Sequence, residues 1–223
     1  MRTKNLTPFL FAATPTSLRP PRPAMTIIVR AAFRLAPGQP VVALTELGAQ
    51  GSLAGDEFAP EDDERHGALL RAGDLADFKP RADVLVRASC HTPGGKPMTE
   101  CPVRFTLGPL SRSLRVTGKR VWEAGLLGAS PSRPEPFTTM PIDYAHAFGG
   151  PGHPANPAGK GVDTALLPNI EAPADVIGSR RDRFPPAGLG PLSPFWPDRA
   201  AKMGKERSEE HTSELQSPLN SSY

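Results

Sequence analysis

The chain has 223 residues, with 26 Lys plus Arg against 23 Asp plus Glu for a formal charge of +3, and it is rich in Pro (28) and Gly (21). The positive excess is modest and Arg is scattered without a long basic run, so neither nucleic acid nor an anionic membrane is called for as a partner; no apolar run approaches the roughly 18 residues of a membrane span. The length suits one domain or two small ones, and the Pro and Gly content points to long, ordered, irregular loops.

At the N-terminus, Arg2 and Lys4 precede an apolar stretch from Leu6 to Ala13 that Pro8 interrupts, which is a poor export signal. With Cys90 and Cys101 the only cysteines, the expectation is a cytoplasmic protein with reduced thiols. Thr26 to Leu35 is rich in β-branched residues and predicts a strand. Pro40 to Leu44 predicts a second strand after the Pro37-Gly38 turn, making a hairpin. From Gly48 to Asp77 the chain turns polar, with Asp56, Glu57, Glu61, Asp62, Asp63 and Glu64 ahead of Ala68-Leu69-Leu70. This predicts a solvated loop and a short helix, and the spacing of oxygen ligands does not make a calcium loop.

Asp83 to Ser89 reads as a largely buried strand, Pro93-Gly94-Gly95 as a turn, and Val103 to Leu107 and Leu114 to Thr117 as alternating strands. Together they predict a three-stranded antiparallel meander. Trp122 should close it, its ring on the sheet and its N–H partnered. Beyond Gly125 no segment sustains a period. The tract is expected to wrap the core as ordered loops, with Phe137, Tyr144, Phe148, Phe184, Phe195 and Trp196 as anchors. The fold class predicted is mainly β: an antiparallel β-rich single domain with long Pro/Gly-rich loops and little helix. Its β core runs from about 24 to 122 and its loop-rich wrap from 123 to 206.

Three constellations could carry chemistry, and none is complete. Cys90, His91 and Cys101 are zinc-ligand types but lack a fourth ligand and close-pair spacing, so buried free thiols are the expectation. Asp143, Tyr144 and His146 place an acid, a phenol and an imidazole together, yet no activated nucleophile accompanies them and His146 is read as structural. Asn156-Pro157-Ala158-Gly159-Lys160-Gly161 has the wrong spacing for a phosphate loop and reads as a tight turn. No catalytic, cofactor-binding or metal-binding residue is assigned, and no cofactor is expected.

Other motifs follow one another in order. They are Asn5-Leu6-Thr7-Pro8-Phe9, Asp74 to Val86 around Phe78-Lys79-Pro80, His91-Thr92-Pro93-Gly94-Gly95, and Val116-Thr117-Gly118-Lys119-Arg120-Val121-Trp122. After these come Pro136-Phe137, Met140-Pro141, Ala147-Phe148-Gly149-Gly150, Asn156 to Gly161, Leu167-Pro168-Asn169-Ile170-Glu171, and Pro186 to Trp196. This order resembles a bacterial family of unknown function (number 2169) associated with type VI secretion and encoded beside spike and PAAR-tip genes. The resemblance covers residues 5 to 204. It implies a non-catalytic adaptor or chaperone whose partners are a secreted effector and the spike and PAAR proteins, with neither nucleic acid nor membrane bound. Phe137, Met140, Tyr144 and Phe148 are the candidates for partner contact or loop anchoring. Trp122, Asn156, Gly161, Asn169, Glu171 and Trp196 are the candidates for structural motifs. Lys119 stands where an acidic residue is expected before Arg120, which puts a local carboxylate–arginine pair in doubt. The alternatives are an enzyme-like domain, hydrolase or toxin-associated, whose key residues lie beyond 206, or a structural part of the spike tip.

Residues Arg207 to Ser217 match, in frame, the translation of a common short-read sequencing adapter, and Ser222-Tyr223 fits its distal part. Residues 207–223 are therefore expected to be an adapter-derived artefact that truncates the natural chain near Glu206, and they are set aside from the fold.

Overall fold

The structure is a computed structural model that describes residues 4–17, 24–45, 51–59, 67–75, 83–125 and 128–202. Glu61 to Glu64 and the segment 207–223 lie outside the described residues. The fold is mainly antiparallel β. It divides into two compact units, Met1–Glu57 with Arg71–Val84, and Phe58–Leu70 with Leu85–Tyr223.

In the smaller unit, β1 (Leu10–Ser17) pairs antiparallel with β2 (Ala24–Arg30), and β3 (Phe33–Arg34) with β4 (Val42–Ala43). The predicted strand from Thr26 to Leu35 is thus two strands, and the predicted hairpin survives only as β3–β4. The broken apolar stretch near the N-terminus supplies the first half of β1, because Val, Ile and Thr on β2 give it a pleated surface to pair with. Met25, Ile27 and Val29 alternate along β2 and are all exposed, so one face of this hairpin is apolar and open to solvent. Asp74 ties the unit's loops: its Oδ2 accepts from Arg30 Nη1 at 3.1 Å, Arg71 Nη2 at 2.8 Å and the Ala54 amide at 3.1 Å.

The next strands are β5 (Glu57–Phe58), which pairs with β6 (Leu69–Arg71), then β7 (Ser89–His91), β8 (Glu100–Leu107) and β9 (Leu110–Thr117). Ala68 to Leu70 was expected to be a helix; with Leu69 buried and Leu70 beside it on the opposite pleat, it is mostly strand instead. The β8–β9 hairpin follows the predicted alternation, and Gly108 at φ 54° supplies the positive φ of its two-residue turn. The predicted meander is corrected. Residues 83–88 form no strand, and β7 does not join β8.

Beyond β9 lie β10 (Trp122–Gly125), β11 (Gly128–Pro131), β12 (Thr139–Pro141), β13 (Phe148–Gly149), β14 (Lys160–Gly161) and β15 (Ile170–Glu171). β12 pairs with β7, and β15 completes a three-stranded sheet in the order β15-β9-β8. The tract after 125 therefore builds the core it was expected to wrap. One cluster joins Cys90, Cys101, Leu114 and Val116 to Ile142, Ile170 and Ala187; a second consists of Phe148, Val162, Leu167 and Ile177. Among the described residues no helix is long and apolar enough to cross a membrane.

Glycine makes close backbone approaches possible here. A Cβ on Gly118 would overlap the Glu135 carbonyl, whereas Gly94 sits at φ 64° with open space around it. Gly118→Ala is expected to destabilise the protein by about 3 kcal/mol, at the upper end of ordinary substitutions, and Gly94→Ala by about 1 kcal/mol through backbone strain alone. Urea unfolding of the two variants measures the contrast.

Candidate functional site

The loop motifs converge on Glu171, which β15 carries into the sheet opposite Arg115 of β9. Both carboxylate oxygens are occupied. Oε1 accepts from Arg120 Nη2 at 2.7 Å and from the Ile177 amide at 3.3 Å, and Oε2 accepts from Arg115 Nη1 at 2.9 Å. Arg120 Nη2 also donates to the Pro168 carbonyl, and Arg115 Nη2 reaches Glu100 at 2.7 Å. The Arg120 and Glu171 side chains are 5% and 1% exposed, so the pair is removed from water. The departure at Lys119 does not cost Arg120 its carboxylate: the partner comes from 51 residues along the chain. Lys119 itself meets Glu135 at 3.8 Å on the surface.

Asn169 and Asn156 act as side-chain struts. Asn169 Nδ2 donates to the Thr117 carbonyl, its Oδ1 accepts from Lys160 Nζ at 3.0 Å, and its amide donates to the His146 carbonyl. Asn156 Nδ2 donates to the Tyr144 and Phe148 carbonyls at 2.8 and 3.0 Å. Gly149 and Gly159 close around it so tightly that a Cβ on either would collide with Asn156. Gly161, at φ 114°, donates its amide to Thr164 Oγ1. The Asn156–Gly161 segment is a turn wound about an asparagine side chain, and its Lys160 is spent on Asn169.

The four aromatic and methionine candidates all reach inward. Phe137 and Met140 are half-buried against the first cluster, and Phe148 is buried in the second, edge-on to Phe184 at 5.7 Å. Tyr144 is half-buried and meets Trp196 edge-on at 6.0 Å, while the Trp196 indole donates to the Gly67 carbonyl. Burial pushes the Tyr144 phenol up, with Arg112 opposing. Trp122 packs on the second cluster rather than on the three-stranded sheet, under the Arg180 guanidinium at 5.1 Å. Its N–H has no hydrogen-bond partner among the described residues, contrary to expectation.

Cys90 and Cys101 are buried free thiols whose side chains are neighbours. Burial, then the hydrogen bond and charge of Cys101, push Cys90 up to about 11. His91 is exposed and turned to Thr139 Oγ1 at 3.2 Å. Among the described residues no group of three or more His, Cys, Asp or Glu is placed to hold a metal. His146 Nδ1 lies 2.6 Å from Asp143 Oδ1, and the same oxygen caps the 3₁₀ turn by accepting the His146 amide. Burial pushes the Asp143 carboxyl up, but His146 outweighs it through hydrogen bonds and charge, leaving the group below its ordinary value. Sequence reasoning missed the Glu171–Arg115–Glu100 chain. The only signal available was alternation, which set Arg115 on the face opposite Leu114 and Val116.

A family model described as "Uncharacterized protein conserved in bacteria (DUF2169)" matches residues 21–221, and the chain belongs to that family. No curated protein and no solved structure matches.

Two outcomes follow from this geometry. Arg120→Ala removes one of the two guanidinium partners of the buried Glu171 carboxylate and is expected to cost about 3 kcal/mol, read by urea unfolding. Glu100 lies below its ordinary value, chiefly through the hydrogen bond from Arg115, and Asp143 is also depressed. A depressed folded value stabilises above the unfolded value, about 4, and that contribution is lost as pH falls through the folded value. Stability should therefore decline below pH ~4, with Glu100→Gln and Asp143→Asn each flattening that acid limb in unfolding series between neutral and acid pH.

Proposed function

We propose that this member of the family is an adaptor that binds a secreted type VI effector and helps load it onto the spike and PAAR complex by protein contact, without catalysis. The observation that carries the reading is a set of apolar side chains held on ordered strands yet left open to solvent: Met25, Ile27 and Val29 on β2, and Leu107 and Leu110 at the β8–β9 tip. Exposed apolar rows on a stiff frame suit protein contact, and loops fixed by Pro, Gly and buried polar struts lose little further entropy on binding. The motif order of the sequence supplies the type VI context. Phe137, Met140, Tyr144 and Phe148 serve as anchors of the frame, and contact falls to the exposed rows.

A second reading draws on the Asp143–His146 pair, whose 2.6 Å contact is the geometry of an oriented general base. A hydrolase screen on the purified protein tests it; turnover that Asp143→Asn abolishes would favour this reading.

Co-expression with the spike, PAAR and effector genes neighbouring its own should give a stable complex with the effector, and deletion of this gene should lower effector secretion while spike secretion persists. Ile27→Asp should weaken capture with the melting midpoint unchanged, whereas Phe148→Ala should lower the midpoint first. Effector secretion unaffected by the deletion, with no complex recovered, would sink the adaptor reading. Recovery of the protein itself in the secreted fraction would favour a structural part of the tip.

A further inference from the structure

β7 is paired along one edge only, with β12. Hydrogen bonds from the Ile142 amide to the Ala88 carbonyl at 2.9 Å and from the Thr92 amide to the Thr138 carbonyl at 3.0 Å, with Cys90 opposite Met140, set the even-numbered residues toward β12. By the alternation of an antiparallel ladder, the backbone N–H and C=O groups of Ser89 and His91 point the other way. Those groups make no hydrogen bond among the described residues. Both residues and the neighbouring Arg87 line an open cleft of about 480 Å³, with Leu69, Ile142 and Leu189 supplying apolar wall.

A row of unpaired donors and acceptors at every second residue is complementary to another extended backbone. The free edge of β8 differs. Its outward positions include Pro102, which has no N–H to offer and so blunts that edge. Of the two charged groups that line the cleft, Asp143 is already engaged, its Oδ1 accepting the His146 amide and lying 2.6 Å from His146 Nδ1, while the Arg87 guanidinium has no ion pair among the described residues.

We propose that this cleft binds an extended, acidic polypeptide segment as a strand added to β7, with a carboxylate opposite Arg87. The adaptor reading supplies the identity of the natural partner; the cleft's preference is a property of this chain alone. The apolar wall takes the side chains that alternate with the acidic ones, so backbone bonds give affinity and Arg87 gives selectivity.

Two labelled synthetic ten-residue peptides test this, one alternating Val with Glu and one alternating Val with Lys. Fluorescence anisotropy should show saturable binding of the Val/Glu peptide at least about tenfold tighter than the Val/Lys peptide, with slowed amide exchange at Ser89 and His91. Ser89→Pro removes an outward N–H without touching the β12 ladder and should abolish binding; Arg87→Glu, an exposed surface change that keeps the fold, should reverse the preference. Equal binding of both peptides, no binding, or indifference to Arg87→Glu overturns the proposal. Absence of Val/Glu peptide binding in a wild-type protein that still captures its effector overturns the proposal and leaves the adaptor reading standing. A wild-type protein that binds the Val/Glu peptide with the expected exchange protection but captures no effector sinks the adaptor reading and leaves the cleft in place.

Discussion

The frame of the larger unit depends on satisfying one carboxylate taken out of water. A buried Glu costs several kcal/mol unless its lone pairs are met by well-placed donors, and Glu171 meets this condition only when three separate segments arrive together. Arg115 comes from β9, Arg120 from the turn after it, and the Ile177 amide from the loop beyond β15. Each donor fixes a different register: β15 against β9, the Pro168 carbonyl against Arg120, and the 172–177 loop against the strand end. A slip by one residue at β15 would exchange Ile170, fully buried, with Glu171 and place the carboxylate among Leu114 and Val116. The polar contact therefore selects the apolar packing, and the loops inherit their path from it.

This dependence explains what the sequence made legible. The β8–β9 hairpin could be read because its partners lie within one turn of each other and alternate cleanly. The density of Pro and Gly marked a tract of irregular backbone, and Asn156 and Asn169 bond that backbone through their side chains. The partner of β7 was hidden: β12 is three residues long and includes Pro141, so no period announces it. Strands of two residues, such as β13, β14 and β15, carry no periodicity at all, and their identity is set by contacts made far along the chain. Arg120 shows the same limit from the polar side. A missing neighbour at Lys119 looked like a lost pair, because the carboxylate that completes it is remote in sequence.

The candidate site was legible in its residues, with contact and anchoring left as alternative roles. Phe137, Met140, Tyr144 and Phe148 were singled out for partner contact or loop anchoring because aromatics and Met are enriched in interface cores and equally favour burial within the chain; Phe137, Met140 and Phe148 lie in or against the two clusters and Tyr144 meets Trp196. Residues that meet solvent with apolar side chains, Ile27 and Leu110 among them, drew no attention, because an alternating strand predicts a buried face without saying whether anything covers it.

The cleft beside β7 joins these two themes. Its floor is Pro141 to Ala145, one edge is Leu189 to Pro191, and both segments are tied to the frame: Ile142 in the first cluster, Tyr144 against Trp196, and Gly188 so close to the Tyr144 ring that a Cβ would crowd it. Rotation of Tyr144 into the opening would break its edge contact with Trp196, and movement of the Pro141 segment would break the β7–β12 ladder. The cleft is thus held open by interactions formed on folding, which is the condition under which an incoming strand keeps most of its backbone hydrogen-bond energy as affinity. A groove of this kind selects by backbone extension and one charge, so sequences that differ in their remaining side chains would be accepted alike. The buried carboxylate at Glu171 and the open edge at β7 are then two ends of one arrangement: polar groups satisfied within the chain make the loops stiff, and the stiff loops keep a second set of polar groups available to another chain.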